Sequence, residues 1–308
     1  MIVLARRACF FALLQLTAST CAGQQPLAAL GVGSPFEDPA YDFLRTPSEA
    51  RQPGDSQRAD HPLLPVLQFA YETYLRTQAD VRDYRCTLIK RERVRSRLQS
   101  HEHIQVKLRH RQVDDGREAA PFSVYLKFLG PAKVEGREVV YVQGKNNGHL
   151  VATKGGSSAS RTATLSVDPQ GPWGMDGNRY PITELGMLNL TGRLIEEGVH
   201  YMQADAAGQC RVDDIEGAEI NDRRCRYIRV TFPTRRRQLK FHVAEIFIDE
   251  ELHVPVRYAA YDWPDEDGDE PKLLEEYTYL DIDWNVGLTD LDFERTNPAY
   301  RFTVPKRR

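Results

Sequence analysis

The feature that most constrains this chain is a period of two in its apolar residues, repeated in many separate stretches. Phe122, Val124, Leu126 and Phe128 alternate with Ser123, Tyr125 and Lys127. The same alternation runs through Val140 and Val142, through Ile228, Val230 and Phe232, through Ile246 and Ile248, and through Val254, Val256 and Tyr258. Successive side chains of a strand point to opposite faces, so each stretch reads as a half-buried β-strand. Asp115-Gly116, Asn146-Asn147-Gly148 and Asn221-Asp222 punctuate them as turns. Two stretches switch to a helical period. Leu63, Leu67, Ala70, Tyr71, Tyr74 and Leu75 predict a helix over 63–80, with Pro65 tolerated in its first turn. Ile182, Leu185, Leu188, Leu194 and Ile195 follow Pro181 and predict a second, ending at Gly198. Many strands in succession with two helices imply an α+β fold rather than an alternating parallel sheet. Two helices cover only part of a sheet face, so a groove or cavity is expected beneath them.

The first 62 residues lack this patterning. Arg6 and Arg7, the apolar run Ala8–Leu16 and the small residues Thr17–Gly23 read as an export signal over 1–23. That run is too short to span a membrane, which takes about 20 residues. Cys21 would be a lipid-anchor site only with a lipobox before it, and Ala18-Ser19-Thr20 does not supply one. Residues 24–62 carry six prolines and no sustained apolar period, which predicts an extended tether. The alternative is a partner-binding segment around Phe36, Tyr41, Phe43 and Leu44. A single domain is expected over 63–303, then a basic tail over 304–308.

Charge excludes one class of partner. With 41 Lys+Arg against 44 Asp+Glu the chain is net acidic, which argues against nucleic acid. The basic residues are nonetheless clustered. Arg91, Arg93 and Arg95 fall on one face of a strand and are candidate contacts for an anionic headgroup, and Arg235-Arg236-Arg237 forms a second group. His101-Glu102-His103 places two imidazoles on one strand face, but no third ligand is identifiable, so no metal is expected. Asp265–Glu270 resembles a calcium loop, yet Glu270 stands where the loop requires glycine, so it reads as a hairpin loop. Lys154-Gly155-Gly156-Ser157-Ser158 lacks the phosphate-loop spacing. Neither G-x-S-x-G nor H-E-x-x-H occurs, and no cofactor motif is present, so no catalytic residue is assigned.

Three cysteines follow the signal: Cys86, Cys210 and Cys225. No C-x-x-C occurs, so neither zinc nor thioredoxin-like chemistry is indicated. An Asn221-Asp222 turn pairs residues whose numbers sum to 443 and keeps Cys210 away from Cys225. A Gly217-Ala218 turn would set them opposite each other. The Asn-Asp turn is the better type I′ signal, which leaves Cys86–Cys225 as the preferred disulfide and Cys210 free.

Several segments resemble one family. Asp83–Val94, Pro121–Leu129, Gly136–Val142, Gly177–Glu184 and Asn285–Phe293 are similar to motifs of the DUF1571 family of exported bacterial proteins, found mostly in planctomycetes. The family has no established activity. Its pattern includes cysteines in the contexts of Cys86 and Cys225, which supports the preferred pairing. The C-terminal half also resembles, remotely, the LolA/LolB-type periplasmic lipoprotein carriers, through Ala244–Asp249, Pro255-Val256-Arg257, a strand from Leu273 and the Asn285–Phe293 finish. That resemblance implies a large curved antiparallel sheet, a half-barrel whose concave face is covered by helices over an apolar cavity. The expected function is an exported periplasmic or cell-envelope binding module, non-catalytic and monomeric, for a lipid or a lipoprotein acyl chain. Expected cavity walls are Phe122, Val124, Leu126, Phe128, Val140, Val142, Leu185, Leu188, Leu194, Ile246, Ile248 and Val256. The alternative is a structural or protein-interaction module of the envelope, with an envelope protein as partner and a fully packed interior.

Overall fold

The structure is a computed structural model that describes residues 36, 38, 41–45, 60–158, 164–205, 207–266 and 268–303. The expected signal over 1–23, most of the expected tether and the tail over 304–308 lie outside the described residues. A short helix α1 (Asp42–Arg45) precedes α2 (Leu63–Asp80), whose ends match the predicted helix. Strands β1 (Asp83–Val94), β2 (Arg97–Leu98), β3 (Glu102–Arg109), β4 (Gln112–Asp114), β5 (Arg117–Ala120), β6 (Ser123–Gly130), β7 (Glu138–Val142), β8 (Leu150–Ala152) and β9 (Leu165–Val167) follow. After α3 (Met187–Ala204) come β10 (Arg211–Ile220), β11 (Arg223–Thr231), β12 (Val243–Asp249), β13 (Pro255–Asp262) and β14 (Lys272–Trp284).

Apart from the small β4–β5 hairpin, the strands form one antiparallel sheet in the order β10-β11-β12-β13-β14-β1-β3-β6-β7-β8-β9, with β2 paired to β1. The long-range step is β14 beside β1, which joins the two chain halves through the register Leu88↔Tyr279 and Lys90↔Tyr277. The ends β10 and β9 do not pair, so the sheet stays open. The exposed edge β10 carries Asp213, Asp214, Glu216 and Glu219, and such charge discourages edge-to-edge association. The fold is therefore α+β, with helices against one face of a wide antiparallel sheet.

Helices α2 and α3 cross over the β11–β13 part of that face. Gly198 marks the crossing: a Cβ there would lie 2.3 Å from Leu67 Cδ2. The expectation that Gly198 ends the second helix is corrected on this point. The residue is mid-helix, its missing side chain allows the close approach, and α3 runs on to Ala204. The start of α3 is tied to the sheet by the Met187 amide, which donates to the Tyr84 hydroxyl at 3.2 Å. A buried cluster joins the helix ends. Leu63 N–H donates to His61 Nδ1, His61 Nε2 lies 3.0 Å from the Asp205 carbonyl, and Asp205 Oδ2 accepts the Cys210 amide at 2.7 Å.

Part of the expected tether packs on the domain. Phe36 is fully buried, edge-on to Tyr41, Tyr71 and Tyr74, and Leu44 is buried beside it. The folded unit thus takes in residues before Pro62, because apolar side chains in a proline-rich stretch still gain about 1.5–3 kcal/mol each on full burial. The outer face of β3, β6, β7 and β8 is covered by residues 288–302. Tyr300 stacks on Tyr125 at 4.0 Å, and Phe293 and Phe302 pack with Val140, Val142 and Val151.

Candidate ligand cavity

The strands β14, β1, β3, β6, β7, β8 and β9 turn one face inward, and α3 with the segment 172–186 closes over it without filling it. The space left is about 710 Å³, within the range of small-molecule sites. Pairing register decides which residues reach it. Leu88 faces Ile104 across β1–β3, Leu126 faces Val139 across β6–β7, and Val139 faces Ala152 across β7–β8. With Leu150, Tyr279 and Leu190 these make an apolar end. The opposite end is polar, because β1 continues inward with Lys90 and Glu92 rather than with apolar residues.

The polar end contains a closed network. Lys90 Nζ lies 3.4 Å from Glu92, 3.3 Å from Glu102 and 2.5 Å from the Asn178 side-chain oxygen. Burial alone would lower the Lys90 pKa, but the charges of Glu92 and Glu102 outweigh it and the ammonium is held above its ordinary value. Glu92 also accepts from the Tyr277 hydroxyl at 2.5 Å and from the Arg179 amide at 3.0 Å. Glu275 accepts from Arg179 at 2.9 Å and from the Tyr180 hydroxyl at 3.1 Å. Burial raises the Glu275 carboxyl, opposed by Arg193 and Arg179. Arg193 lies 3.6 Å over the Tyr180 ring and 4.0 Å from Glu184. Trp173, 78 % exposed, stands at the lip.

The expected wall residues divide by position. Leu126, Phe128 and Leu185 line the large cavity. Leu194, Ile246 and Ile248 line a second space of about 70 Å³ between the helices and β11–β13. Phe122, Val124, Leu188 and Val256 are packed in the main core. Val140 and Val142 are corrected: they point to the outer face, under the C-terminal segment. The interior is not fully packed in either half: the large space lies under β1 and β6 and the small one under α2 and α3.

The headgroup candidates lie away from the cavity. On β1 the even-numbered residues face inward, so Arg91 and Arg93 lie on the outer face, bonded to the Gln99, Leu273 and Ser96 carbonyls, and Arg95 sits in the β1–β2 turn. The disulfide is corrected as well. Cys86, Cys210 and Cys225 are free buried thiols, and Cys86 on β1 and Cys225 on β11 have three strands between them. A disulfide needs Cα atoms within about 7 Å. The turn reading behind that pairing was sound near the turn, since Asn221 and Asp222 have positive φ and Ile220 pairs with Arg223.

Sequence reasoning missed Leu88, Ile104, Val139, Leu150, Tyr277 and Tyr279 as walls and Arg193 as a lining cation. The alternation Tyr84, Cys86, Leu88 was a usable signal for β1, but the polar residues at 90 and 92 break it. Among the described residues, the one group of His, Cys, Asp or Glu close enough to share a metal ion is His61, Asp205 and Cys210. Both imidazole nitrogens and one carboxylate oxygen there already hold the helix ends together, and Asp205 Oδ1 faces Arg236 at 3.5 Å. His101 pairs with Glu276 at 2.9 Å.

A family model described as a protein of unknown function, DUF1571, matches residues 81–302. The chain belongs to the DUF1571 family. Solved structures with which it shares a likeness include a LolA superfamily protein from Nitrosomonas europaea, at 11 % identity and a TM-score of 0.30, over 74 % of this chain and 97 % of that one. The lipoprotein LppX of Mycobacterium tuberculosis is similar at 12 % identity and a TM-score of 0.38, over 73 % of this chain and 98 % of that one. The MucA/MucB complex of Pseudomonas aeruginosa is similar at 14 % identity and a TM-score of 0.39, over 74 % of this chain and 60 % of that one. Comparison with curated proteins gives no match. Among the described residues, no helix is long and apolar enough to cross a membrane.

Proposed function

We propose that this DUF1571 protein is an exported binding protein of the cell envelope that takes the acyl chain of a lipid or acylated protein into its large cavity and performs no chemistry on it. The observation that carries the reading is the cavity itself, about 710 Å³ with one apolar end formed by Leu88, Ile104, Leu126, Val139, Leu150 and Tyr279. An acyl chain needs only such walls, at about 0.8 kcal/mol per buried CH₂. The polar groups at the other end are bonded to one another rather than arranged as nucleophile, base and oxyanion donors, which supports binding over catalysis. The export signal read over 1–23 supports an envelope location.

The test is native mass spectrometry with lipid extraction on the full chain purified from its own envelope without detergent. Near-stoichiometric acyl lipid or lipopeptide is the expected result. A clean apo mass, together with no uptake of offered lipids, overturns the reading. Leu126→Arg places a charge on the apolar wall, so a variant with the wild-type circular dichroism spectrum should lose uptake by at least about 10-fold, the equivalent of 1.4 kcal/mol. Retained uptake removes this wall from the site.

A further inference from the structure

Two cations on the cavity wall, Arg137 and Lys154, stand outside the closed network. Thr153 N–H donates to the Glu138 carbonyl at 2.8 Å, and Gly156 N–H donates to the Glu135 carbonyl at 2.8 Å. These bonds carry the β7–β8 register Val139↔Ala152 onward and set Arg137 opposite Lys154. Gly155 permits the close pairing, because a Cβ there would lie 2.3 Å from the Val134 carbonyl oxygen. Both residues lie two positions from inward-facing neighbours, and both line the cavity. Like charges directly opposite on neighbouring strands are destabilising. Among the described residues, no ion pair with a carboxylate within 4.0 Å relieves either one. Arg137 rests over the Phe128 ring at 5.5 Å, and every other basic group on the cavity wall has an acidic neighbour: Lys90 has Glu92 and Glu102, and Arg193 has Glu184.

From this juxtaposition we infer that the cargo is an anionic lipid, its acyl tail along the apolar end and its negatively charged head between Arg137 and Lys154. The inference rests on the acyl-binding reading and adds the head-group class to it. An anion there removes the repulsion between the two cations and gains charge-assisted hydrogen bonds from both. A zwitterionic head brings its own cation to the same place and loses that gain. The register places the pair where the two ends meet: the row Leu88, Ile104, Phe128 and Arg137 crosses β1, β3, β6 and β7, with Leu126 and Val139 on one side of it and Lys90 and Glu102 on the other.

The experiment uses the delipidated full chain and two lipids with the same palmitoyl tail, lysophosphatidylglycerol and lysophosphatidylcholine, titrated against the wild type and an R137Q/K154Q variant. The wild type is expected to bind the anionic lipid about 10-fold more tightly, a preference that shrinks as salt rises. The variant is expected to bind both alike, at the affinity the wild type shows for lysophosphatidylcholine, and to melt no lower than the wild type because a like-charge pair has gone. Equal binding of both lipids by the wild type, unchanged in the variant, overturns the head-group assignment and leaves the acyl cavity standing. Binding of neither lipid overturns the acyl reading and the inference with it. Displacement of the anionic lipid by an equal concentration of inorganic phosphate also overturns it, because the site then recognises a free anion rather than a lipid.

Discussion

Single buried groups set how this protein responds to pH and to thiol reagents. His110 Nε2 is buried without a hydrogen-bond partner among the described residues, its ring tilted against Tyr84 at 5.9 Å. Burial lowers the imidazole to about 4, against about 6.5 in an unfolded chain. Between those values the unfolded chain binds the extra proton. The stability owed to neutral His110 is therefore complete above about pH 6.5 and is lost as pH falls toward 4, in total about 3 kcal/mol. Denaturant melts from pH 7 to 4 should show this loss, and His110→Phe should flatten the slope in that window. An unchanged slope would assign the pH dependence to other groups. The thiols give a second check. Burial raises Cys86 and, together with Asp205, pushes Cys210 up to about 12. Without reductant, Cys86, Cys210 and Cys225 should each take up a maleimide after denaturation and resist it in the folded chain. A Cys86–Cys225 peptide recovered after proteolysis would contradict the free-thiol arrangement.

At the scale of elements, the helix crossing and the β1 polar row are the sensitive places. Gly198→Val forces Leu67 out of its position where α2 meets α3, and overpacking of this kind costs about 1–3 kcal/mol. A thermal melt should show the loss, while cavity binding should persist because the crossing lies in the other half of the fold. Glu92→Ala removes the carboxylate shared by Lys90, Tyr277 and the Arg179 amide. Removing one partner of a buried ion pair costs about 3–5 kcal/mol. Chemical denaturation of the variant measures it, and a change under about 1 kcal/mol would mean that water reaches Lys90 through the cavity. The same row explains why the cavity is amphipathic. One strand supplies apolar residues at one end and charged residues at the other, and the register carries that division to β3, where Ile104 faces Leu88 and Glu102 faces Lys90.

The whole molecule is held by contacts between residues far apart in the chain. The β14–β1 pairing joins the two chain halves at the centre of the sheet, and residues 288–302 return to cover the outer face of β6 and β7. Lys107 bonds Asp292 at 2.7 Å, Arg109 bonds Asp290 at 2.7 Å, and the Arg301 amide donates to Glu138 at 2.6 Å. A chain truncated before Leu288 uncovers Tyr125, Val140, Val142 and Val151 together. Contiguous exposed apolar area of that kind drives association, so light scattering should detect aggregation of the truncated chain. A soluble, fully folded truncation would show that the cover is dispensable.

Local periodicity determined a good part of this protein. It placed α2 over Leu63–Asp80, read the strands β6, β11, β12 and β13 from alternation, assigned the Asn221-Asp222 turn and indicated the α+β class, because side-chain period and turn chemistry are properties of consecutive residues. The family resemblance lay in residue identities and is matched over 81–302. The choice of face was not local. A period of two divides a strand into two sets without saying which set is inward, so Val140 and Val142, expected in the cavity, fall on the outer face, and on β1 it is Lys90 that faces the cavity while Arg91 and Arg93 lie outside it. The C-terminal cover made an apolar outer face possible, and nothing near β7 in the sequence announces it. The cavity, too, was decided only in three dimensions: its walls come from seven strands, a helix and a long connection, and Arg137 stands opposite Lys154 only because β7 and β8 pair in one register.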